Sequence, residues 1–403
     1  MIKLVLEGGL FSECEILGGN SHGMIRIAEE VVKGVVDNND FDLSFANTTY
    51  SKKYDTYLKQ FLANRYPAYQ KKILSETPVL TSSLPVLKTA SKYLAKYLPL
   101  EVNNPGLENC DIFHSFYYPF TKSIADNSSF KKSITYLDII PLRMPGYNNK
   151  MVDITKRIVK SIVPNYAISI SEFSKQDLLD YNKNIDPDRV FVAPLAASKE
   201  LFYQNKNAAD WLMVKQKYGL PDNYFLSVSS TDIRKNLLHL IKCFSKFSLQ
   251  EKPQDLFLVL TGNATYSHSV LNKLNIPKEV RERIVITNRF IDNEDLAVVY
   301  SNALSFFFMS LYEGFGLPAL EAMQCGVPVV TSNVSSLPEV VGHAAIMLDP
   351  NDEAVLCDTM NEVYKDESLR SRYASSGLER SKFFSWEKCT QDYIEVFKKI
   401  ALS

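Results

Sequence analysis

Leu304-Ser-Phe-Phe-Phe-Met-Ser-Leu-Tyr-Glu-Gly-Phe-Gly-Leu-Pro-Ala-Leu-Glu321, continued by Ala322-Met-Gln-Cys-Gly-Val-Pro-Val-Val330, alternates the signals of a buried strand and of a helix at short spacing. Leu304–Met309 is an apolar run interrupted only by Ser305, the pattern of a parallel strand covered on both faces. Two glycines then break the run. Pro318 suits the first turn of a helix, where a missing N–H costs nothing, and Ala319, Leu320, Ala322 and Met323 carry the helix to Gly326. A second apolar run, Val327–Val330, reads as the next strand. The order strand, loop, helix, strand predicts an open parallel sheet, and such sheets bind ligands at the carboxyl ends of their strands.

The loop decides what that ligand is. Gly314 and Gly316 permit close backbone approach and positive φ, and the N–H groups that open the helix near Pro318 attract an anion, most naturally phosphate. Glu313 and Glu321 flank the loop. An ionised carboxylate only accepts hydrogen bonds, so it suits the paired hydroxyls of a ribose or a hexose. Anion-binding amides between hydroxyl-binding carboxylates point to a nucleotide sugar. Gly314-Phe-Gly-Leu-Pro-Ala319 also fits the G-x-G-x-x-A dinucleotide fingerprint, but that fingerprint needs an acidic residue closing the next strand. Here Thr331, Ser332 and Asn333 stand in that place.

Glu313-Gly-Phe-Gly-Leu-Pro-Ala-Leu-Glu321 resembles the E-x7-E signature of the retaining GT-B glycosyltransferases, specifically family 4, the "glycosyl transferases group 1". The resemblance continues through Cys325-Gly-Val-Pro-Val-Val330, Ser332-Asn-Val-Ser-Ser-Leu-Pro-Glu339 and Leu348-Asp-Pro350, and weakens in the N-terminal half. It implies an α/β chain of GT-B fold, with two Rossmann-like domains facing across a cleft and a C-terminal helix crossing back to the first. It further implies that Glu313 faces the donor sugar, that Glu321 holds the ribose, and that the amides of Gly314, Phe315, Gly316 and Leu317 hold phosphate and sugar hydroxyls.

A length of 403 residues exceeds what one hydrophobic core usually serves, and 46% hydrophobic residues is the share of a well-cored globular protein. A formal net charge of −1 argues against a nucleic-acid partner. No run of eighteen apolar residues appears, and Met1–Glu7 reads as a strand rather than a signal peptide. The 6 cysteines show no ligand spacing, so they read as buried thiols in a reducing compartment. The expected location is cytoplasmic, at most peripheral to the inner face of the plasma membrane.

In the first half, the turn Gly18-Gly-Asn-Ser-His-Gly-Met-Ile-Arg26 precedes helical spacing from Ile27 to Val36 and resembles the family's N-terminal glycine loop. That resemblance gives Gly23 and Arg26 a pyrophosphate or acceptor contact, with a tight turn and a surface arginine as the plain reading. Residues 50–100 carry nine Lys or Arg against Asp55 and Glu76, interleaved with tyrosines. Such a segment suits an anionic membrane surface or a glycan phosphate, with a solvated helical face as the plainer reading. Ser133-Ile-Thr-Tyr-Leu-Asp-Ile-Ile-Pro-Leu-Arg143 resembles a family segment in which His precedes the Asp and contacts the transferring sugar. Leu137 occupies the His position and Asp138 is retained, so His114 and His22 become alternative sugar contacts or ordinary structural histidines.

Strand signals stop around Ala197–Asn207, which sets domains at 1–200 and 201–385, with a closing helix over 386–403. In the second domain Tyr224–Ser229 is a strand and Arg234-Lys235 follow its end, where two cations can neutralise a diphosphate. They match the family's basic pair, although Ser230 stands where many members carry a further arginine. Leu256–Gly262 reads as a further strand, and Gly262 at its end is assigned to substrate binding. Asn288–Asn293 lies where the family's base-contacting loop runs. Ser336-Leu-Pro-Glu339 reads as a capping box.

No Asp-x-Asp motif sits at the carboxyl end of a strand, so no metal and no cofactor is expected beyond the nucleotide-sugar substrate. No nucleophile–base pair emerges either. The resemblance implies a mechanism that needs none: diphosphate departs and acceptor attacks on one sugar face, with the leaving phosphate taking the acceptor proton. The expected activity is transfer of a hexose of mannose, glucose or rhamnose type to a glycan or lipid-linked hydroxyl, with Glu313, Arg234, Lys235 and Asp138 as the catalytic set. A sugar-nucleotide epimerase and a non-catalytic nucleotide-sugar binding subunit remain as alternatives.

Overall fold

The computed structural model describes residues 1–16, 23–48, 52–75, 77–78, 102–103, 107–228, 230, 232–262, 271, 274–287 and 290–403. Most of the glycine turn, with Gly18, Gly19 and His22, lies outside them, as do Lys88, Lys92, Lys96 and Asn288.

The chain forms two compact units. One comprises Met1–Ile170, Ser174–Ala193 and Glu387–Ser403; the other comprises Ser171–Phe173 and Pro194–Trp386. The first contains β1 (Ile2–Glu7), β2 (Phe41–Asn47), β3 (Ile73–Ser75), the two short strands β4 (Thr77–Pro78) and β5 (Val102–Asn103), β6 (Ile112–Ser115), β7 (Lys131–Tyr136), β8 (Tyr166–Ser169) and β9 (Val190–Val192). Seven of them make one parallel sheet in the order β3-β2-β1-β6-β7-β8-β9, while β4 and β5 pair antiparallel on their own. The second unit holds β10 (Asn223–Val228), β11 (Leu256–Thr261), β12 (Ile284–Ile286), β13 (Ser305–Phe308), β14 (Val329–Ser332) and β15 (Ile346–Leu348) in the parallel order β12-β11-β10-β13-β14-β15. Each unit is thus a doubly wound α/β domain, and both strand orders reverse once: between β1 and β6, and between β10 and β13.

β13 explains why its sequence is so apolar. Phe306, Phe307 and Phe308 are all buried, and successive strand residues face opposite sides. Phe307 meets Phe225 of β10 on one side at 4.7 Å, while Phe306 meets Tyr300 on the other at 5.3 Å. A strand covered on both faces cannot alternate polar and apolar residues.

The closing helix, Trp386–Leu402, packs on the first unit, with Tyr393, Val396 and Phe397 buried. Tyr393 and Thr135 share a hydrogen bond of 2.8 Å between their hydroxyls. A Cβ on Gly34 would come within 2.1 Å of Thr390 Cγ2, so glycine is what lets that helix approach.

Three local expectations change. The helix Gly9–Ile16 follows β1 directly, ahead of the glycine turn that the sequence placed next after the strand. The strand expected over Val327–Val330 runs over Val329–Ser332, because Pro328 has no N–H to give a ladder and instead accepts Phe306 N–H at 2.9 Å. The division of the chain falls between Ala193 and Pro194 rather than at 200/201. Carbonyls of the connecting stretch are held by the second unit: Gln324 Nε2 donates to Ser198 O at 3.2 Å and to Phe202 O at 2.6 Å.

Candidate active site

The strand order of the second unit reverses between β10 and β13, and the segments leaving the carboxyl ends of these two strands carry Arg234-Lys235 and Glu313-Gly-Phe-Gly. A reversal of this kind opens a crevice, because the two connections leave toward opposite faces of the sheet. The residues singled out from sequence therefore sit where a doubly wound sheet binds its ligand.

After β10 the chain makes a short 3-10 turn, Ile233–Lys235, capped by Asp232, whose side chain accepts Arg234 N–H at 3.1 Å. Asn236 then adopts φ 55°, and its side chain donates to Pro350 O at 2.8 Å. A backbone bond of 2.7 Å from Leu311 N–H to Arg234 O ties this turn to the segment after β13.

The consequence is an ion cluster. Glu313 Oε2 lies 2.6 Å from Arg234 Nη1, and Glu313 Oε1 lies 2.7 Å from Lys235 Nζ. Arg234 also reaches Asp232 at 3.3 Å and the Tyr312 carbonyl at 3.2 Å, and the Lys235 ammonium sits over the Phe308 ring at 4.7 Å. Side-chain exposure is 9% for Glu313, 10% for Lys235 and 17% for Arg234. Burial pushes the Glu313 carboxyl up, but Lys235 and Arg234 outweigh it and hold the group below the usual glutamate value. For Lys235 burial wins: it lowers the ammonium despite the attraction of Glu313. The cluster keeps Glu313 anionic at neutral pH.

The glycine loop is clamped by serines. Ser336 Oγ lies 2.9 Å from Glu313 O and 2.7 Å from Phe315 O and shares its one O–H between them, Ser171 Oγ donates to Gly314 O at 2.7 Å, and Ser335 Oγ accepts Glu313 N–H at 3.0 Å. In a trans peptide the N–H points opposite to the C=O. Each carbonyl turned onto a hydroxyl therefore points the N–H of the residue that follows it, Gly314, Phe315 or Gly316, away from the serine that holds it. Gly316 has φ 115°, and a Cβ there would lie 2.8 Å from Leu337 Cδ2, so both conformation and space demand glycine. The helix Leu317–Gln324 follows with Pro318 in its first turn and no side-chain cap at its positive end. The Phe315 ring is buried against Phe384, so what Phe315 offers a ligand is its backbone.

Glu321, in the same helix, is half-buried and accepts the Tyr300 hydroxyl on Oε2 at 3.2 Å. Gly262 closes β11 with φ 113°. Arg234, Lys235, Gly262, Glu313, Gly314, Phe315, Gly316, Leu317 and Glu321 all belong to the second unit.

Gly23, Arg26 and Asp138 belong to the first unit. Gly23 begins the helix Gly23–Val36, with Arg26 in its first turn, and Asp138 accepts Ile140 N–H at 2.9 Å ahead of the short helix Ile140–Arg143. His114 is a core residue rather than a sugar contact: its nitrogens meet Ser133 Oγ at 2.8 Å and Thr135 Oγ1 at 3.1 Å, and burial holds its pKa down to about 3. Part of the positive excess early in the chain is matched locally, since Arg65 pairs with Glu15 and Glu29 and Lys72 with Asp42.

The capping-box reading of Ser336 and Glu339 is overturned. Ser336 makes no side-chain cap and holds the glycine loop instead, while the Glu339 carboxylate accepts the N–H groups of Glu172 and Phe173 at 3.0 and 3.1 Å. With backbone donors and acceptors from other segments within reach, both side chains leave their own helix start. Ser335, Ser336, Ser171 and Tyr300 were not legible as site-forming residues. The one available signal was the polar run Ser332–Ser336 directly after a buried strand.

Residues 213–380 match the family described as "Glycosyl transferases group 1". The O-antigen chain mannosyltransferase B of Escherichia coli is 34% identical over 270 residues, spanning 66% of this chain and 69% of that protein. This chain belongs to the glycosyl transferases group 1 family. Among solved structures, a sucrose-phosphate synthase from Thermosynechococcus elongatus superposes with a TM-score of 0.69 at 17% identity, covering 100% of both chains. The Anabaena protein HepE in complex with UDP and glucose gives 0.68 at 16%, covering 99% of this chain and 100% of that one. At such identities the two structures speak for the fold alone: the group 1 transferase has the GT-B architecture, and the E-x7-E loop lies within its matched segment.

Proposed function

We propose that this glycosyltransferase moves a hexose of the mannose type from a nucleoside diphosphate sugar to a hydroxyl of a glycan or lipid-linked acceptor, with retention of anomeric configuration and without a metal ion, in the assembly of a bacterial surface polysaccharide. The observation that carries this reading is the Arg234–Glu313–Lys235 cluster, placed at the strand reversal beside the serine-held glycine loop. The name of the Escherichia coli relative supports mannose and a polysaccharide product. A lipid-linked acceptor would bring the chain to the inner face of the plasma membrane as a peripheral protein; no helix among the described residues is long and apolar enough to cross a membrane.

Each group then has a task set by its chemistry. Arg234 and Lys235 exchange part of their contact with Glu313 for the diphosphate and hold its charge as the bond to the sugar lengthens. Loop N–H groups and the positive end of Leu317–Gln324 add donors that need no reorganisation. Glu313, kept anionic by its two cations, faces the positive charge that grows on the sugar. Glu321 accepts the ribose hydroxyls, a part of the donor that does not change during reaction. Phosphate oxygen takes the acceptor proton on the face it leaves, so no second carboxylate is needed as nucleophile, unlike in retaining glycosidases.

The test is to incubate the chain with GDP-, UDP- and dTDP-hexoses, with and without a mannoside acceptor, and to follow nucleoside diphosphate and product together. Acceptor-dependent release of GDP from GDP-mannose, with a new glycosidic product, is the expected result. Donor consumption without acceptor would favour an epimerase, and tight donor binding with no turnover in any combination would favour a binding subunit.

A further inference from the structure

Tyr300 is fully buried and is the last residue but one of the helix Asn293–Ser301. Its ring lies against Phe306 of β13 at 5.3 Å and edge-on to Phe202 at 5.8 Å, so the phenol cannot swing away. A buried tyrosine hydroxyl needs a partner, and the one it meets is Glu321 Oε2 at 3.2 Å. The neighbouring residue acts on the same target helix: Ser301 Oγ donates to Cys325 O at 3.0 Å, at the far end of Leu317–Gln324. Two consecutive side chains thus fix that helix at its glutamate and at its C-terminus.

We propose that Tyr300 is a positioning residue for the donor: it fixes the Glu321 carboxylate in the orientation that receives the ribose hydroxyls of the nucleotide. The proposal rests on the ribose role given to Glu321 above. A glutamate side chain on a helix has several rotamers and loses that freedom when it binds a ligand. One carboxylate oxygen anchored from behind removes the loss beforehand, and a carboxylate has about four acceptor sites, so the anchor does not exhaust it. Tyr300 is walled in by aromatic rings and so works through Glu321 rather than by touching the nucleotide. Its bond is longer than the roughly 2.5–2.7 Å of the tightest hydroxyl–carboxylate bonds, which places the expected effect at the modest end.

The experiment compares the wild-type chain with Tyr300→Phe and Glu321→Ala by calorimetry, using UDP and GDP and their 2′,3′-dideoxy counterparts. Wild type should prefer the ribose form. Tyr300→Phe should bind that form roughly 5- to 20-fold more weakly, about 1–2 kcal/mol at 1.4 kcal/mol per tenfold, and bind the dideoxy form as wild type does. KM for the donor should rise with kcat nearly unchanged, which a general loss of fold would not produce. Equal affinity of Tyr300→Phe and wild type for the ribose form, beside a weakened Glu321→Ala, overturns the positioning role alone. A parallel loss for ribose and dideoxy forms, with a lower melting temperature, overturns it too, since the residue would then be structural. If Glu321→Ala keeps the full preference for ribose, or wild type binds neither UDP nor GDP, the ribose role of Glu321 fails and takes the proposal with it.

Discussion

Replacing Glu313 by Gln keeps the shape of the side chain and removes the charge that holds two buried cations. The structure fixes the scale of the damage. Glu313 bridges Arg234 at 2.6 Å and Lys235 at 2.7 Å, and none of the three side chains is more than 17% exposed, so solvent screening does not reduce the interaction to that of a surface pair. Breaking a buried pair by removing one partner costs about 3–5 kcal/mol, chiefly because the remaining charge stays desolvated. Arg234 keeps Asp232 and the Tyr312 carbonyl, and Lys235 keeps the Phe308 ring and the attraction of Asp232, so a loss of about 3 kcal/mol, the lower end, is expected. The chain has 2 tryptophans, Trp211 and Trp386, and both belong to the second unit, so their fluorescence in a urea titration reports the unfolding of the unit that holds the cluster. Glu313 is depressed in the folded state, so its contribution is complete above the unfolded glutamate value of about 4.3 and is lost as pH falls through the lower folded value. The gap between wild type and Glu313→Gln should therefore be flat from pH 7 to about 5 and narrow below about 4. A loss under about 1 kcal/mol at pH 7, the size of an exposed ion pair, would refute the reasoning, as would a gap that ignores acid.

Three shorter predictions follow from the same geometry. Ser336→Ala removes the single hydroxyl that serves the Glu313 and Phe315 carbonyls; it should cost the second unit about 1–3 kcal/mol and lower kcat/KM roughly tenfold, and a variant with unchanged turnover would show that the serine clamp does not orient the loop. Turnover should survive EDTA, because Arg234, Lys235 and the helix start supply the positive charge; a loss restored by Mg²⁺ or Mn²⁺ would overturn that assignment. NMR of the purified product should show the donor's anomeric configuration, and inversion would remove the same-face mechanism.

The order of elements and the position of the loop were legible because they follow from short-range physics. An all-apolar run means a strand covered on both faces, Gly316 means a backbone no side chain permits, and Pro318 means a helix start; each is decided within a few residues. Glu313 and Glu321, eight positions apart in one strand-loop-helix unit, stand out for that reason. The Gly9–Ile16 helix and the true start of β14 were less visible, since the first carries a weak pattern and the second was settled by the missing N–H of Pro328.

The chemistry of the site was decided by tertiary structure. Lys235 and Glu313 are 78 positions apart, and nothing in either neighbourhood announces that the cation of one segment holds the carboxylate of the other. Ser171 reaches Gly314 across 143 positions, and Glu339 leaves its own helix start for the N–H of Glu172, 167 positions away. Periodicity records which face of an element is buried, because burial repeats with the geometry of the backbone. A hydrogen bond or ion pair is made once, between two atoms brought together by the fold. The sequence alone determined which residues would line the end of β13; only the folded sheet, by setting β10 beside it, determined that Arg234 and Lys235 would meet Glu313 there.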